Sequence, residues 1–303
     1  MADSPRVQVP PPRLAPALVA DAAAMASLVA SVEQEPVLAL DTESNSFHVY
    51  RERVCLIQLS TPAADWVVDP LSTDVRPLGP ILARAPAVVL HGADYDVRCL
   101  KREYGFTVPG LFDTMAAARR LGARELGLSA LVESHFGVRL SKSFQRSDWG
   151  RRPLSAEQVS YAALDTHYLL ELHAVLARQL RERNLEAAAA QEFARIAAVE
   201  PRPKAFDAEG WRRLRGAREL PPVGQAVLRS LWITREERAS ALDRPPFKVM
   251  PEDAMVAVAR ERPATERELA LIPGVTPVVL RRMREAILAA LAAASPERAG
   301  GDG

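Results

Sequence analysis

The chain has 303 residues, with 39 Lys plus Arg against 38 Asp plus Glu, a net charge of +1 when His is neutral. Apolar residues make up 48 % and charged residues 25 %, the composition of an ordinary soluble protein long enough for two domains. Near-neutral charge excludes a wholesale polycationic coat for nucleic acid, and a mere two cysteines, Cys55 and Cys99, exclude a disulfide framework. No window supplies the roughly 20 uninterrupted apolar residues of a membrane helix.

Met1 to Ala17 is rich in Pro and lacks a charged start followed by an apolar core, so residues 1–19 read as a disordered tail rather than a secretory signal. A soluble, cytoplasmic protein is expected. Asp21 to Gln34 has helical periodicity. Val37–Asp41, Val54–Leu59, Trp66–Val68 and Val88–Leu90 are short apolar runs bounded by turn residues and read as strands. The first three are joined too closely for crossover helices, so they should pair antiparallel. A helix near Pro77 to Ala85 lets the fourth strand join in parallel. Helices follow at Tyr95–Tyr104, Asp113–Leu121, Leu128–Phe136 and from Ala156 into the 190s, which makes an α/β plan with a mixed sheet. Residues 200–207, with two prolines, read as a linker. Beyond them, 208–294 is helix-only, about five short helices, and 295–303 reads as a second disordered tail.

Several chemistries lose their usual support. There is no GxxxxGK[ST] loop, no GxGxxG after a strand, no HExxH, no paired CxxC and no GxSxG. The carboxylates are more informative. Asp41 and Glu43 stand two apart at the end of the first strand, hence on one face of the sheet. Asp96 follows the fourth strand where a helix begins. Tyr161 and Asp165, four apart, share one face of a long helix. Each has a bland reading on its own: a solvated strand end, a helix cap, a common helical spacing. Four carboxylates converging at one sheet edge would instead repel one another unless cations sat between them, and hard oxygen donors of this kind select Mg²⁺ or Mn²⁺. Two such ions can clamp both the attacking and the leaving oxygen of a phosphodiester, with the tyrosine hydroxyl orienting the water.

Asp41-Thr-Glu43, His91-Gly-Ala-Asp-Tyr-Asp96 and Tyr161-Ala-Ala-Leu-Asp165 together resemble the three motifs of the DEDDy exonucleases. Phe112-Asp-Thr114 and Ser147-Asp-Trp-Gly-Arg-Arg-Pro-Leu154 narrow the resemblance to the ribonuclease D family, over residues 20–199. Trp211-Arg-Arg-Leu214, Leu231–Ala241 and Asp243-Arg-Pro-Pro-Phe247 resemble an HRDC domain, over 208–294. The resemblance implies an RNase H-like exonuclease domain followed by a small all-α HRDC-like domain. It also implies two divalent metal ions, Mg²⁺ or Mn²⁺, on Asp41, Glu43, Asp96 and Asp165, with Tyr161 positioning water. The activity implied is 3′→5′ hydrolysis of RNA to nucleoside 5′-monophosphates, with tRNA precursors or other structured RNA bearing a free 3′ end as substrates. A DNA exonuclease and a non-catalytic RNA-binding protein are the rival readings. Ser44 departs from the Phe that many bacterial members carry there.

Between the second and third motifs, Arg119, Arg120, Arg124, Arg139, Lys142, Arg146, Arg151 and Arg152 form a basic stretch. Lys142 and Arg152 are candidates to grip phosphates. Trp149 is a candidate stacking platform for a base, against a buried aromatic hinge as the blander reading. His91 reads as a local hydrogen-bonding residue and Asp113 as a helix cap. In the C-terminal part, Trp211, Leu214, Leu228, Leu231 and Trp232 read as core, with Arg229, Arg235 and Arg238 as candidates to face nucleic acid and docking of a protein as the equal alternative for the domain.

Overall fold

The computed structural model describes residues 15–201 and 205–294. The chain divides into two compact units, Met1–Asn45 with Arg53–Arg202, and Ser46–Glu52 with Pro203–Gly303.

The first unit is built on a six-stranded mixed sheet. In chain order its elements are β1 (Ala17–Val19), α1 (Ala22–Val32), β2 (Val37–Ser44), β3 (Val54–Ser60), β4 (Asp65–Val68), α2 (Leu78–Arg84) and β5 (Ala87–Leu90). There follow α3 (Asp94–Tyr104), β6 (Leu111–Asp113), α4 (Thr114–Arg120), α5 (Leu128–Phe136), α6 (Ala156–His167), α7 (Leu169–Glu182) and α8 (Glu186–Ala197). The strand order is β1-β4-β3-β2-β5-β6. β2, β3 and β4 form the expected antiparallel meander, and β5 joins β2 in parallel.

Three expectations change. The tail does not extend to residue 19, because Ala17–Val19 pair in parallel with Trp66–Val68 as an edge strand; residues 1–14 lie outside the described residues. A sixth strand, β6, lies parallel to β5 at the other edge. The single helix from Ala156 is three helices, broken at Tyr168 and again before α8, where Asn184 takes a left-handed φ of 57°. Asn184, a residue type that takes the left-handed conformation readily, is the sequence sign of the second break.

Alternation along β2 sorts its residues onto two faces. Leu38 and Leu40 enter the main core with Val88, Leu90, Val97 and Leu100, while Ala39 packs on the other face with Val89 and Leu169. α6 lies across β2, β3 and β4 on that second face. It can approach closely because its buried side is made of Ala162, Ala163 and Thr166.

The second unit is helical: α9 (Pro222–Ala241), α10 (Pro246–Val249), α11 (Glu252–Glu261), α12 (Glu266–Leu271) and α13 (Pro277–Ala293), preceded by 3-10 turns at Gly210–Arg213 and Ala217–Glu219. Its core holds Trp211, Leu228 and Leu231, with Leu214 and Trp232 partly buried against it. The segment Ser46–Glu52 packs with this unit, where the Tyr50 hydroxyl donates to Glu236 at 2.6 Å and Asp243 accepts the backbone N–H groups of Tyr50 and Arg51. The arginines expected to face nucleic acid are engaged. Arg235 is buried over the Trp232 ring and donates to the Met250 carbonyl; Arg229 pairs with Glu209 and Arg238 with Glu285. Residues 202–204 and 295–303 lie outside the described residues. Among the described residues no helix is long and apolar enough to cross a membrane.

Candidate active site

Because Leu38 and Leu40 face the main core, Asp41 and Glu43 extend the Ala39 face, under α6. The helix that covers them starts firmly. Ser155 accepts from the Gln158 N–H at 3.2 Å and the Gln158 side chain accepts from the Ser155 N–H at 3.0 Å, a reciprocal cap. It places Tyr161 and Asp165, one turn apart, over the two β2 carboxylates.

Asp96 arrives from the opposite side. β5 ends in a turn at Gly92, whose φ of +70° favours glycine, and Asp96 lies in the first turn of α3. The turn is clamped by Asp113, whose carboxylate accepts the N–H groups of Gly92 at 3.1 Å and Ala93 at 2.8 Å. Asp113 is also the expected cap of α4, accepting from the Ala116 N–H at 3.0 Å. Thr42, on the other face of β2 from Asp41, donates its hydroxyl to the Asp96 carboxylate. His91 is bonded locally through Nδ1 to Thr114 Oγ1 at 2.9 Å.

The carboxylates feel one another. Asp41 is raised well above the usual carboxylate range, by burial first and then by Asp96, Asp165 and Glu43. Burial, Asp165 and Asp96 push Glu43 up to about 9. Asp165 is raised by burial, and so is Asp96, although the Thr42 hydroxyl works against it there. Burial and the neighbouring carboxylates also raise Tyr161, so its ring keeps its proton as a neutral phenol.

Asp41, Glu43, Tyr161 and Asp165 open into a cleft of about 450 Å³. Lys142 and Gln145 line its wall, together with the first turn of α5 from Leu128 to Ala130. Of Lys142, Trp149 and Arg152, the candidates for nucleic acid in this unit, only Lys142 reaches this cleft. Trp149 is buried (1 % exposed) and stacks on Tyr161 with ring centroids 6.1 Å apart, so it is no base platform. Arg152 is committed to Asp69, through Nε at 2.6 Å and Nη2 at 2.7 Å, and to the Cys55 and Trp149 carbonyls. Phe144, 5.6 Å from the Tyr161 ring, completes an aromatic bracket with Trp149. Phe144 and Thr42 are the supporting residues that sequence reasoning missed; the position of Thr42 between two motif acids was the one available signal.

Comparison with known proteins decides the family. A 3′–5′ exonuclease family profile matches residues 16–181 and an HRDC domain profile matches 224–291. Ribonuclease D of Pseudomonas paraeruginosa is 32 % identical over 91 % of this chain and 74 % of its own length. The chain belongs to the ribonuclease D family of 3′–5′ exoribonucleases. Its likeness to solved structures agrees: the catalytic core of RRP6 from Trypanosoma brucei has a TM-score of 0.82 at 28 % identity, over 92 % of this chain and 80 % of that one. Escherichia coli RNase D, described as an exoribonuclease involved in structured RNA processing, has a TM-score of 0.68 at 30 % identity, over 94 % and 76 %. The yeast exosome exonuclease RRP6 is 30 % identical over 78 % of this chain, but the chain spans only 35 % of its length. These ribonuclease D relatives give the mixed sheet its RNase H-like class.

Ribonuclease D-type catalysis implies divalent ions. The four donors fit: all are carboxylate oxygens, and their mutual repulsion is relieved only by protons or cations placed among them. Among the described residues the side chains as they stand draw no three His, Cys, Asp or Glu into a ready-made ion cage.

Proposed function

We propose that this ribonuclease D-type chain removes nucleotides from the 3′ end of RNA as nucleoside 5′-monophosphates. Asp41, Glu43, Asp96 and Asp165 would hold two divalent ions, Mg²⁺ or Mn²⁺. Bound there, such ions make water a nucleophile near neutral pH and neutralise charge on the leaving oxygen. The observation that carries this reading is the shared cleft of Asp41, Glu43, Tyr161 and Asp165, with Asp96 acting electrostatically on the first two.

The chain's own residues supply the rest. Tyr161 keeps its proton, so its hydroxyl can donate to or accept from a water and hold it in line. Its ring packs against both Phe144 and Trp149, which restrains the hydroxyl's position before substrate arrives. Lys142 offers a cation to a backbone phosphate in the same cleft. We take structured RNA with a free 3′ end as the substrate class, a reading supported by the Escherichia coli RNase D described as acting in structured RNA processing; tRNA precursors and a cytoplasmic setting belong to the same proposal.

The test is a 5′-labelled single-stranded RNA with Mg²⁺ or Mn²⁺, beside Asp165→Asn, an EDTA control and the same sequence as DNA. A ladder shortening from the 3′ end, lost in Asp165→Asn and in EDTA while RNA binding persists, is the expected result. Full activity in Asp165→Asn would overturn the site assignment. Faster cleavage of the DNA would move the substrate to the deoxy polymer.

A further inference from the structure

Directly across the sheet from Asp41 stands Gln58, its register partner in the antiparallel β2–β3 pair. Register partners on one face bring their Cβ atoms within about 4.5–5.5 Å, so a glutamine side chain reaches its neighbour's carboxylate. Alternation along β3 sends Ile57 and Leu59 into the main core and leaves Leu56, Gln58 and Ser60 on the face that α6 covers. Gln58 is completely buried, and neither its amide nitrogen nor its amide oxygen has a hydrogen-bond partner. Two residues along, Ser60 shows how polar groups on this face are ordinarily matched: its hydroxyl is 2.7 Å from that of Thr166 on α6.

An unmatched amide under a helix is costly, and an apolar side chain of the same length would pack there without that cost. The choice of glutamine is explained when Asp41 has to carry charge. An ionised Asp41 that gives one oxygen to a cation and accepts the Thr42 N–H still has acceptor capacity left, and Gln58 is the side chain directly opposite it in the strand pair. We infer that Gln58 is a positioning residue: its Nε2–H donates to the Asp41 carboxylate oxygen turned away from a bound cation, holding that carboxylate in one orientation. This rests on the proposed function and adds to it a support that none of the three sequence motifs contains.

The experiment uses the full chain, stripped with EDTA, and two apolar replacements, Gln58→Met and Gln58→Leu. Mn²⁺ alone is titrated by calorimetry, melting is followed with and without Mn²⁺, and kcat and KM are measured on a labelled RNA. The expected result has four parts. Both variants melt at or above the wild type without metal, bind Mn²⁺ about tenfold to a hundredfold more weakly, gain less melting temperature from Mn²⁺, and lose kcat with KM unchanged. Mn²⁺ affinity within twofold of the wild type would overturn the inference. So would a lower melting temperature of both variants without metal, which would make the amide a packing element. If Asp165→Asn loses Mn²⁺ while the Gln58 variants keep it, this inference alone fails. A wild-type chain that takes up no Mn²⁺ overturns the functional reading along with it.

Discussion

At the scale of single residues, Tyr161 shows how ordinary packing fixes the hydroxyl proposed to hold a water. Its hydroxyl lies among three carboxylates that raise its pKa, and its ring is held by Phe144 and Trp149. Replacing Tyr161 by Phe removes one hydroxyl and leaves the bracket untouched. Activity should fall by about 10²-fold or more, the usual effect of deleting a group that handles a proton or orients water, with KM and melting temperature close to those of the wild type. Steady-state kinetics with a melting curve would check this; unchanged kcat would remove Tyr161 from the machinery. Spacing put Asp41 with Glu43, and Tyr161 with Asp165, on shared faces, as the structure has them, whereas Asp96 was singled out by the resemblance of its motif. Trp149 is the buried aromatic that was one of its two readings, and Arg152 is claimed by a partner that the spacing cannot reveal. A tryptophan or arginine beside a motif looks the same whether it faces solvent or the core, and the partner that claims Arg152 is Asp69, 83 positions away in the chain.

At the scale of elements, that same Arg152 ties three segments together. It joins the loop after β4 through Asp69, β3 through the Cys55 carbonyl, and the approach to α6 through the Trp149 carbonyl. Burial raises the Asp69 carboxylate, but hydrogen bonds from Arg152, from the Ser72 hydroxyl and from the Leu71 N–H outweigh it and hold Asp69 below its ordinary value of 3.8. A carboxylate depressed in the folded state contributes stability above its unfolded pKa, and the contribution is lost as pH falls through the folded value. Arg152→Gln should therefore destabilise the first unit by about 2–4 kcal/mol at neutral pH, toward the lower end of what breaking a buried pair costs because Arg152 is a quarter exposed. The difference from the wild type should shrink below about pH 4. Urea midpoints between pH 3 and 7 measure this, and a difference that stays constant with pH would rule out the ionic part. The elements themselves were largely readable from periodicity. What escaped were β1 and β6, three residues each, too short to show any period, and the breaks that divide α6, α7 and α8, the second of which Asn184 marks.

At the scale of the whole molecule, a net charge of +1 conceals the most consequential charge distribution in the chain: four acids gathered at one end of the sheet. Their cost is set by pH and by cations together. Glu43 holds its proton up to about 9 when folded, against an ordinary value of 4.5. Between those values the folded chain binds more protons than the unfolded one, so stability falls as pH rises. A divalent ion held there, as proposed, would replace those protons, and its binding would add to folding stability, by about 2.7 kcal/mol at a hundredfold excess over Kd. Because the ligands must be ionised to bind it, the ion is held more tightly as pH rises. In EDTA, melting temperature should therefore decline from pH 5 to pH 9. Glu43→Gln should flatten part of that decline, since the amide has no proton to give up. Saturating Mn²⁺ should raise the wild-type melting temperature more at pH 8 than at pH 6, and should do much less for Glu43→Gln, which has lost one of the four donors. A Mn²⁺ effect equal at both pH values, or a Glu43→Gln profile parallel to the wild type, would separate the acid cluster from metal binding.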